Sequence, residues 1–264
     1  MKRTFHLICT SLILLCTPEH TVLDQKTENF FGYREEAIMR TNSNLPWKLA
    51  WQEDFEGPTI NSESWNVLDD AFGWGNRKQH LKPQNVTVED GMLKVTTKEE
   101  WSEGMPYTSG AVTTKGKVNF QQGKIEVRAK LPSGRGILSA IWLWTENGDQ
   151  FPEIDIVEIL GQEPGRAWST IHYDIRGIYA KQSGFVDLPD LTKDFHTYGI
   201  EWYSDSITFL VDGAPVSTIP KYFEDQDMYL FIYTVVGGDW VGEPDSTTEF
   251  PKEMLVDWVR YYKN

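Results

Sequence analysis

The sequence predicts an all-β sandwich or barrel, and three observations predict it. Short alternating or β-branched runs recur from Pro46 to the C-terminus. Gly, Pro, Asn and Asp separate them at close spacing, and no long stretch with a 3.6-residue period intervenes. The strand candidates are 47–55, 92–97, 111–114, 124–131, 138–144 and 153–160, then 167–173, 198–202, 207–211, 229–235 and 254–262. One hairpin is almost written out: Asp212-Gly213, between 207–211 and 214–219, supplies the positive-φ residues that a tight turn needs. Glu89-Asp90-Gly91 is a second turn of the same kind.

Length and composition agree with one large β domain. The chain has 264 residues, of which 40% are hydrophobic, 24% charged and 13% aromatic, which excludes a disordered or low-complexity protein. Its 39 Asp and Glu against 25 Lys and Arg give a net charge of −14. A surface of that sign repels phosphate backbones and anionic headgroups, so nucleic acid and membrane surfaces are poor candidate partners. After residue 16 no apolar run approaches the roughly 18 residues that span a bilayer.

The N-terminus reads as an address. Lys2 and Arg3 precede an apolar run that ends at Cys16, the pattern of a secretory signal, placed at 1–22. A lipid anchor on Cys16 is disfavoured because Leu15 stands where a small residue is needed. Polar residues 23–45 follow as a linker, and 46–264 form the domain of an exported protein, expected to be a monomer. Both cysteines, Cys9 and Cys16, fall in the signal segment, so the fold must hold without an internal disulfide.

The chemistry is concentrated in Glu153-Ile154-Asp155-Ile156-Val157-Glu158. In an extended strand Glu153 and Asp155 project to one side while Ile154 and Ile156 enter the core. Strict alternation would then send Glu158 inward, and burying a lone carboxylate costs several kcal/mol. A one-residue bulge near Ile156–Val157 restores the phase and places all three acids on one face. Such crowding stabilises nothing by itself. It suits hydrolysis of a glycosidic bond, where one carboxylate attacks and a second carboxyl keeps its proton to release the leaving group. Along the strand Glu153 and Glu158 lie roughly 13 Å apart at about 3.3 Å per residue, counting the bulge as one position. Side chains leaning inward narrow that toward the roughly 5–5.5 Å of a retaining enzyme. A solvated acidic strand face is the competing reading.

The same hexapeptide resembles the active-site signature of glycoside hydrolase family 16, the laminarinases, lichenases, agarases and related endo-glycanases. Family-like stretches accompany it: Trp51-Gln52-Glu53-Asp54-Phe55, residues 108–114, residues 123–132, Val236-Gly237-Gly238-Asp239-Trp240 and residues 256–262. The resemblance implies a concanavalin A-like β-jelly roll whose concave sheet forms an open cleft. It implies Glu153 as nucleophile, Asp155 as its assisting acid and Glu158 as general acid/base, with retention of configuration on a polysaccharide or glycan substrate.

Sugars are bound by polar groups at the ring edge and by aromatic rings on the C–H face. Trp142 and Trp144 share parity one strand before the acids, and the resemblance places that strand at the cleft floor. Trp74, Asn76 and His80 fall in a loop similar to the family's Trp-Gly-Asn loop; His172 matches a histidine near the acid/base, and Trp240 is a further aromatic candidate. Trp101 and Trp168 are looser ones. The resemblance also implies a structural Ca2+ near Asp257 and the backbone at Glu56 and Gly91, with a plain strand-edge cap as the other reading of Asp257. Oxygen donors of this kind suit calcium. Catalysis by carboxyl groups requires no cofactor, and no His/Cys cluster suggests a catalytic metal.

Departures from the pattern bear on substrate. Ala111 follows Ser109-Gly110 where many laminarinases carry Arg, Arg77-Lys78-Gln79 stands where a loop Glu is expected, and Leu138-Ser139 replaces a Trp-Pro pair. The expected substrate is a β-1,3- or mixed-linkage glucan; galactose-containing glycans of agar, keratan or mucin type are the alternative. The Arg77-Lys78 pair adds an anionic glycan at low weight. A non-catalytic carbohydrate-binding jelly roll and a transglycosylase remain as rivals from other classes.

Overall fold

The computed structural model describes residues 46–71 and 76–264. The expected signal (1–22), the linker (23–45) and Trp74 lie outside the described residues. The chain runs through β1 (Lys48–Glu53), β2 (Asn66–Val67), β3 (Gln79–Leu81), β4 (Val86–Glu89), β5 (Met92–Ser102) and β6 (Met105–Ser109). It continues with β7 (Ala111–Thr113), β8 (Gly123–Lys130), β9 (Ile137–Thr145), β10 (Glu153–Leu160), β11 (Arg166–Ile175) and β12 (Ile178–Asp187). The last strands are β13 (His196–Trp202), β14 (Ser206–Val211), β15 (Ala214–Pro220), β16 (Met228–Val236) and β17 (Lys252–Lys263).

Two sheets make the sandwich. One has seven strands in the order β12-β11-β10-β9-β16-β7-β2. The other runs β15-β14-β13-β8-β17-β5-β6-β3, with β1 beside β17 and β4 beside β5. Alternation decides which side chains meet between them. Ile141 and Leu143 of β9, Ile154 and Ile159 of β10, and Leu230 and Ile232 of β16 point inward. They pack on Ile125 and Val127 of β8, Ile200 and Trp202 of β13, and Val256 and Val259 of β17. Burying each aliphatic side chain of this kind contributes about 1.5–3 kcal/mol. That core offsets the strain of holding acids together on the opposite face of β10.

The outer face of the seven-stranded sheet carries a second apolar layer. Ala140 and Trp142 of β9 join Tyr229, Phe231 and Tyr233 of β16, with Leu81 and Val241 at its margin. Strands β9 and β16 are therefore covered on both faces, which is why their sequences read as almost unbroken apolar runs. Both expected hairpin turns form, with positive φ at Asp90 (53°) and Gly91 (71°) and at Asp212 (51°) and Gly213 (73°).

The structure corrects the strand inventory. β12 was not among the sequence candidates, nor were the shorter β2, β3, β4 and β6. β12 pairs with β11 over ten registered positions, from Arg166–Asp187 to Ile175–Ile178. Its half-buried side is Ala180, Gln182, Gly184 and Val186, and its exposed side is Tyr179, Lys181, Ser183 and Phe185. Small and polar residues on the packed side, aromatics on the solvent side, hide the period that marks a strand.

Candidate active site

The bulge forms at the expected place. Toward β9, Asp155 pairs with Trp142 and Val157 with Ile141, so Ile156 is the inserted residue. Toward β11 the register slips between Asp155 and Glu158. Ile156 and Val157 both enter the core, at 2% and 1% exposure. An inserted residue leaves backbone groups without ladder partners. Here the Ser169 hydroxyl of β11 donates to the Ile156 carbonyl at 3.1 Å, inside the protein.

Register then fixes the acids. Glu153 lies between Trp144 and His172, Asp155 between Trp142 and Thr170, and Glu158 between Ala140 and Trp168. Asp155 is buried; Glu153 and Glu158 are half-buried. Burial pushes the Glu153 carboxyl up to about 8, and the Asp155 charge adds to the rise, while His172 and Arg77 oppose it. Burial likewise raises Asp155. Glu158 rises well above its ordinary value through burial and through Asp155 and Glu153, again opposed by His172 and Arg77. Three carboxyl groups in one poorly hydrated place cannot all ionise together. Ionisation is therefore raised and staggered, so that one carboxylate forms while a neighbour keeps its proton, the mixture that attack and protonation require.

His172 sits at the centre of this charge. Its Nε2 is 3.0 Å from Asp155 Oδ2 and 3.8 Å from Glu153 Oε1. Burial, with Lys181 adding to it, moves its pKa down, so the ring is neutral among the acids. Arg77, from the segment before β3, places its guanidinium 4.9 Å from the centre of the Tyr233 ring. Tyr233 pairs with Ala111. A cation from a loop thus reaches the ring of the residue that pairs with Ala111.

The aromatic residues form a floor and a wall. Trp142 stacks on Phe231 at 4.7 Å and 19°, and Trp144 lies 5.5 Å from it. Trp142 is on the acids' face as expected, yet only 4% exposed, and its indole N–H is buried without a hydrogen-bond partner. The Trp144 indole donates to the Gln150 carbonyl at 2.9 Å. On the β11 side Trp240 stands half out of the surface, edge-on to Trp168 at 6.0 Å, and Trp168 packs on Phe185 at 4.9 Å. The Arg166 guanidinium lies over Phe185 at 4.5 Å and over Trp168 at 5.7 Å.

Other candidates take different positions. Asn76 donates to both carboxylate oxygens of Asp239 at 3.0 Å and so ties its loop to the Trp240 segment. His80 is buried, with Nδ1 at 2.8 Å from Ser102 Oγ and Nε2 at 2.9 Å from Asp69 Oδ1. Both ring nitrogens are engaged by protein, so it braces the loop and presents none to a sugar. Asp257 lies where β17 slips register between Val256 and Trp258, and its carboxylate is paired with Arg128. Gly91 belongs to the β4–β5 turn, and Glu56 follows β1. The Asp257 carboxylate thus faces a guanidinium from β8.

Sequence reasoning missed Tyr229, Phe231 and Tyr233 in the floor, Ser169 under the bulge, and Tyr179, whose hydroxyl lies 2.7 Å from His172 Nδ1. The floor residues had a signal in their period-two spacing along β16. Ser169 and Tyr179 had none.

Comparison with known proteins agrees with this geometry. The family model for glycosyl hydrolases family 16 matches residues 73–260. A β-glucanase of Rhodothermus marinus is 31% identical over 255 residues, covering 85% of this chain and 88% of that protein. The laminarinase catalytic domain of Thermotoga maritima superposes with a TM-score of 0.76 at 32% identity, over 83% of this chain and 98% of that one. A structure from work on endo-acting O-glycanases, expressed by the human gut microbiota to initiate mucin breakdown, gives 0.74 at 32%, over 82% and 91%. The bulged acid strand, the two-sheet jelly roll around it and these matches lead to one conclusion: the chain belongs to glycosyl hydrolases family 16.

Proposed function

We propose that the protein is a retaining endo-β-glucanase that cuts internal linkages of β-1,3- or mixed-linkage glucan by double displacement. The observation that carries this reading is the Ile156 bulge, which turns Glu153, Asp155 and Glu158 onto one face beside an aromatic floor. Glu153 attacks the anomeric carbon while Glu158 gives its proton to the leaving oxygen, and a glycosyl-enzyme ester forms. Glu158, now a carboxylate, takes a proton from water; the water attacks the same carbon, releases Glu153 and restores the starting configuration. Asp155, between them on the strand, holds negative charge or a proton and so sets which of its neighbours is ionised. Trp144 and Trp240 offer stacking surfaces to the sugar chain, and Trp142 packs in the floor beside Trp144. The chemistry is carried by carboxyl groups and needs no cofactor. A polymeric substrate fits export through the 1–22 segment.

The glucan assignment is supported by the Rhodothermus β-glucanase and the Thermotoga laminarinase. Two observations favour a second reading. Ala111 offers no polar atom beyond its backbone where the resemblance leads one to expect Arg, as in many laminarinases, and the likeness to the structure from O-glycanase work is as close in identity as that to the laminarinase. A galactose-containing glycan is that second substrate class. Product analysis on laminarin, lichenan, agarose, keratan and mucin glycans decides between them. Laminarin or lichenan cleavage to short oligosaccharides, with the β-anomer appearing first by proton NMR, is the expected result. Cleavage confined to the galactose-containing glycans would replace the glucan reading, and an α-anomer first would refute double displacement.

A further inference from the structure

Three aromatic rings stand in parallel at the Glu153 end of the site, and the sequence pointed to one of them. Tyr179 comes from β12, and Phe151 immediately precedes the Pro152–Glu153 step. The Phe151 ring lies 5.0 Å from Tyr179 at 30° and 6.4 Å from His172 at 14°, and Tyr179 lies 5.8 Å from His172 at 17°. Within this stack the Tyr179 hydroxyl is 2.7 Å from His172 Nδ1. The other ring nitrogen, Nε2, lies 3.0 Å from Asp155 Oδ2, a buried oxygen that has no hydrogen-bond partner, and 3.8 Å from Glu153 Oε1, so it acts on both electrostatically.

We infer that Tyr179 is a positioning residue for catalysis: its hydroxyl donates to His172 Nδ1 and so fixes the proton of the neutral ring on Nε2, facing Asp155 and Glu153. This rests on the hydrolase reading above. A neutral imidazole has one N–H and one lone pair, and whichever partner claims one nitrogen settles the other. If Nε2 carried the lone pair, it would oppose the oxygens of two acids, one of which must be ionised to attack. With the hydrogen on Nε2, the ring instead steadies that negative charge. Burial keeps the ring neutral against the pull of Glu153 and Glu158, which favour a second proton. Glu153, Asp155 and Glu158 face it from β10, Lys181 from the register-paired position of β12 disfavours a second proton, and the charge of Arg77 acts on Glu153 and Glu158. Burial, with Glu153 and Asp155 adding to it, holds the Tyr179 phenol above its ordinary value, so it keeps the hydrogen it donates.

Tyr179→Phe tests the proposal, since it keeps the ring stack and removes only the hydroxyl. With laminarin, or whichever glycan the wild-type enzyme turns over, kcat is expected to fall about three- to tenfold with KM within about twofold. The acidic limb of the kcat/KM profile moves up by about half to one pH unit, because the attacking carboxylate loses support for its charge. A uniform loss at every pH with an unmoved limb, or no loss, would overturn it. Nitrogen-15 NMR of His172 in the wild-type protein gives a reading independent of substrate. A protonated Nε2 with a bare Nδ1 is expected, becoming mixed in Tyr179→Phe, and a wild-type ring protonated on Nδ1 overturns the proposal even in an active enzyme. Failure of the wild type on every glycan would count against the hydrolase reading, and the tautomer would still be decided.

Discussion

Replacing Glu153 by Gln is expected to abolish glycan cleavage and yet make the folded protein more resistant to heat, by an amount that grows with pH. The reason is linkage. The Glu153 carboxyl titrates near its ordinary 4.5 in the unfolded chain and at about 8 in the folded one. Between those values the folded state holds more proton than the unfolded state, so stability falls as pH rises through the window. At 1.36 kcal/mol per unit, the displacement from 4.5 to about 8 sets a ceiling of about 5 kcal/mol. A quarter of the Glu153 side chain reaches solvent, at 26%, and Asp155 shares the burden, which reduces the working figure to about 2–3 kcal/mol. Gln has the same shape and no charge to desolvate. At about 2–4 °C per kcal/mol for a domain of this size, Glu153→Gln gains about 5–10 °C near pH 9 and nothing near pH 4.5. Paired calorimetric scans of wild type and variant from pH 4.5 to 9 measure that difference directly. A difference that stays flat with pH, or a variant less stable at pH 9, would show that Glu153 is not held in a charge-averse site, and the account of the acids would be wrong.

Three further outcomes follow from the same geometry. Glu158→Gln is expected to lower kcat on glycans about 10²–10⁴-fold while sparing ester formation from an aryl glycoside whose leaving group needs no proton, and added azide should yield a β-glycosyl azide; an equal loss on both substrates would remove Glu158 from the acid role. Ile156→Ala, which keeps the bulge and its register, is expected to cost about 2–5 kcal/mol and to retain activity in thermal-melt and turnover assays; a folded variant without activity would refute the reading of Ile156 as an inserted core residue. Trp240→Ala, at the exposed wall over Trp168, is expected to raise KM for long oligosaccharides about three- to tenfold with little change for short ones; an unchanged KM across the length series would assign Trp240 to packing.

Much of this architecture was written in local pattern. Strand β10 was read with its observed bounds, and the bulge followed from one conflict, because Glu158 had the wrong parity for a residue that cannot be buried alone. The two Asp-Gly turns were equally local, since positive φ is a property of the residues themselves. The signature acids needed nothing beyond strand alternation to be placed together. What the sequence left open depends on partners distant along the chain. β12 has small and polar residues on its packed side, so it is a strand only because β11 pairs with it, and Tyr179 reaches His172 only through that pairing. His80 looks like a sugar ligand in a loop, but Asp69 and Ser102 arrive from two other segments and occupy both nitrogens. Asp257 meets its guanidinium partner, Arg128, only because β8 lies beside β17. Backbone period and turn chemistry are short-range and can be read from the letters, whereas hydrogen-bond satisfaction and charge balance belong to groups that meet only when the two sheets close.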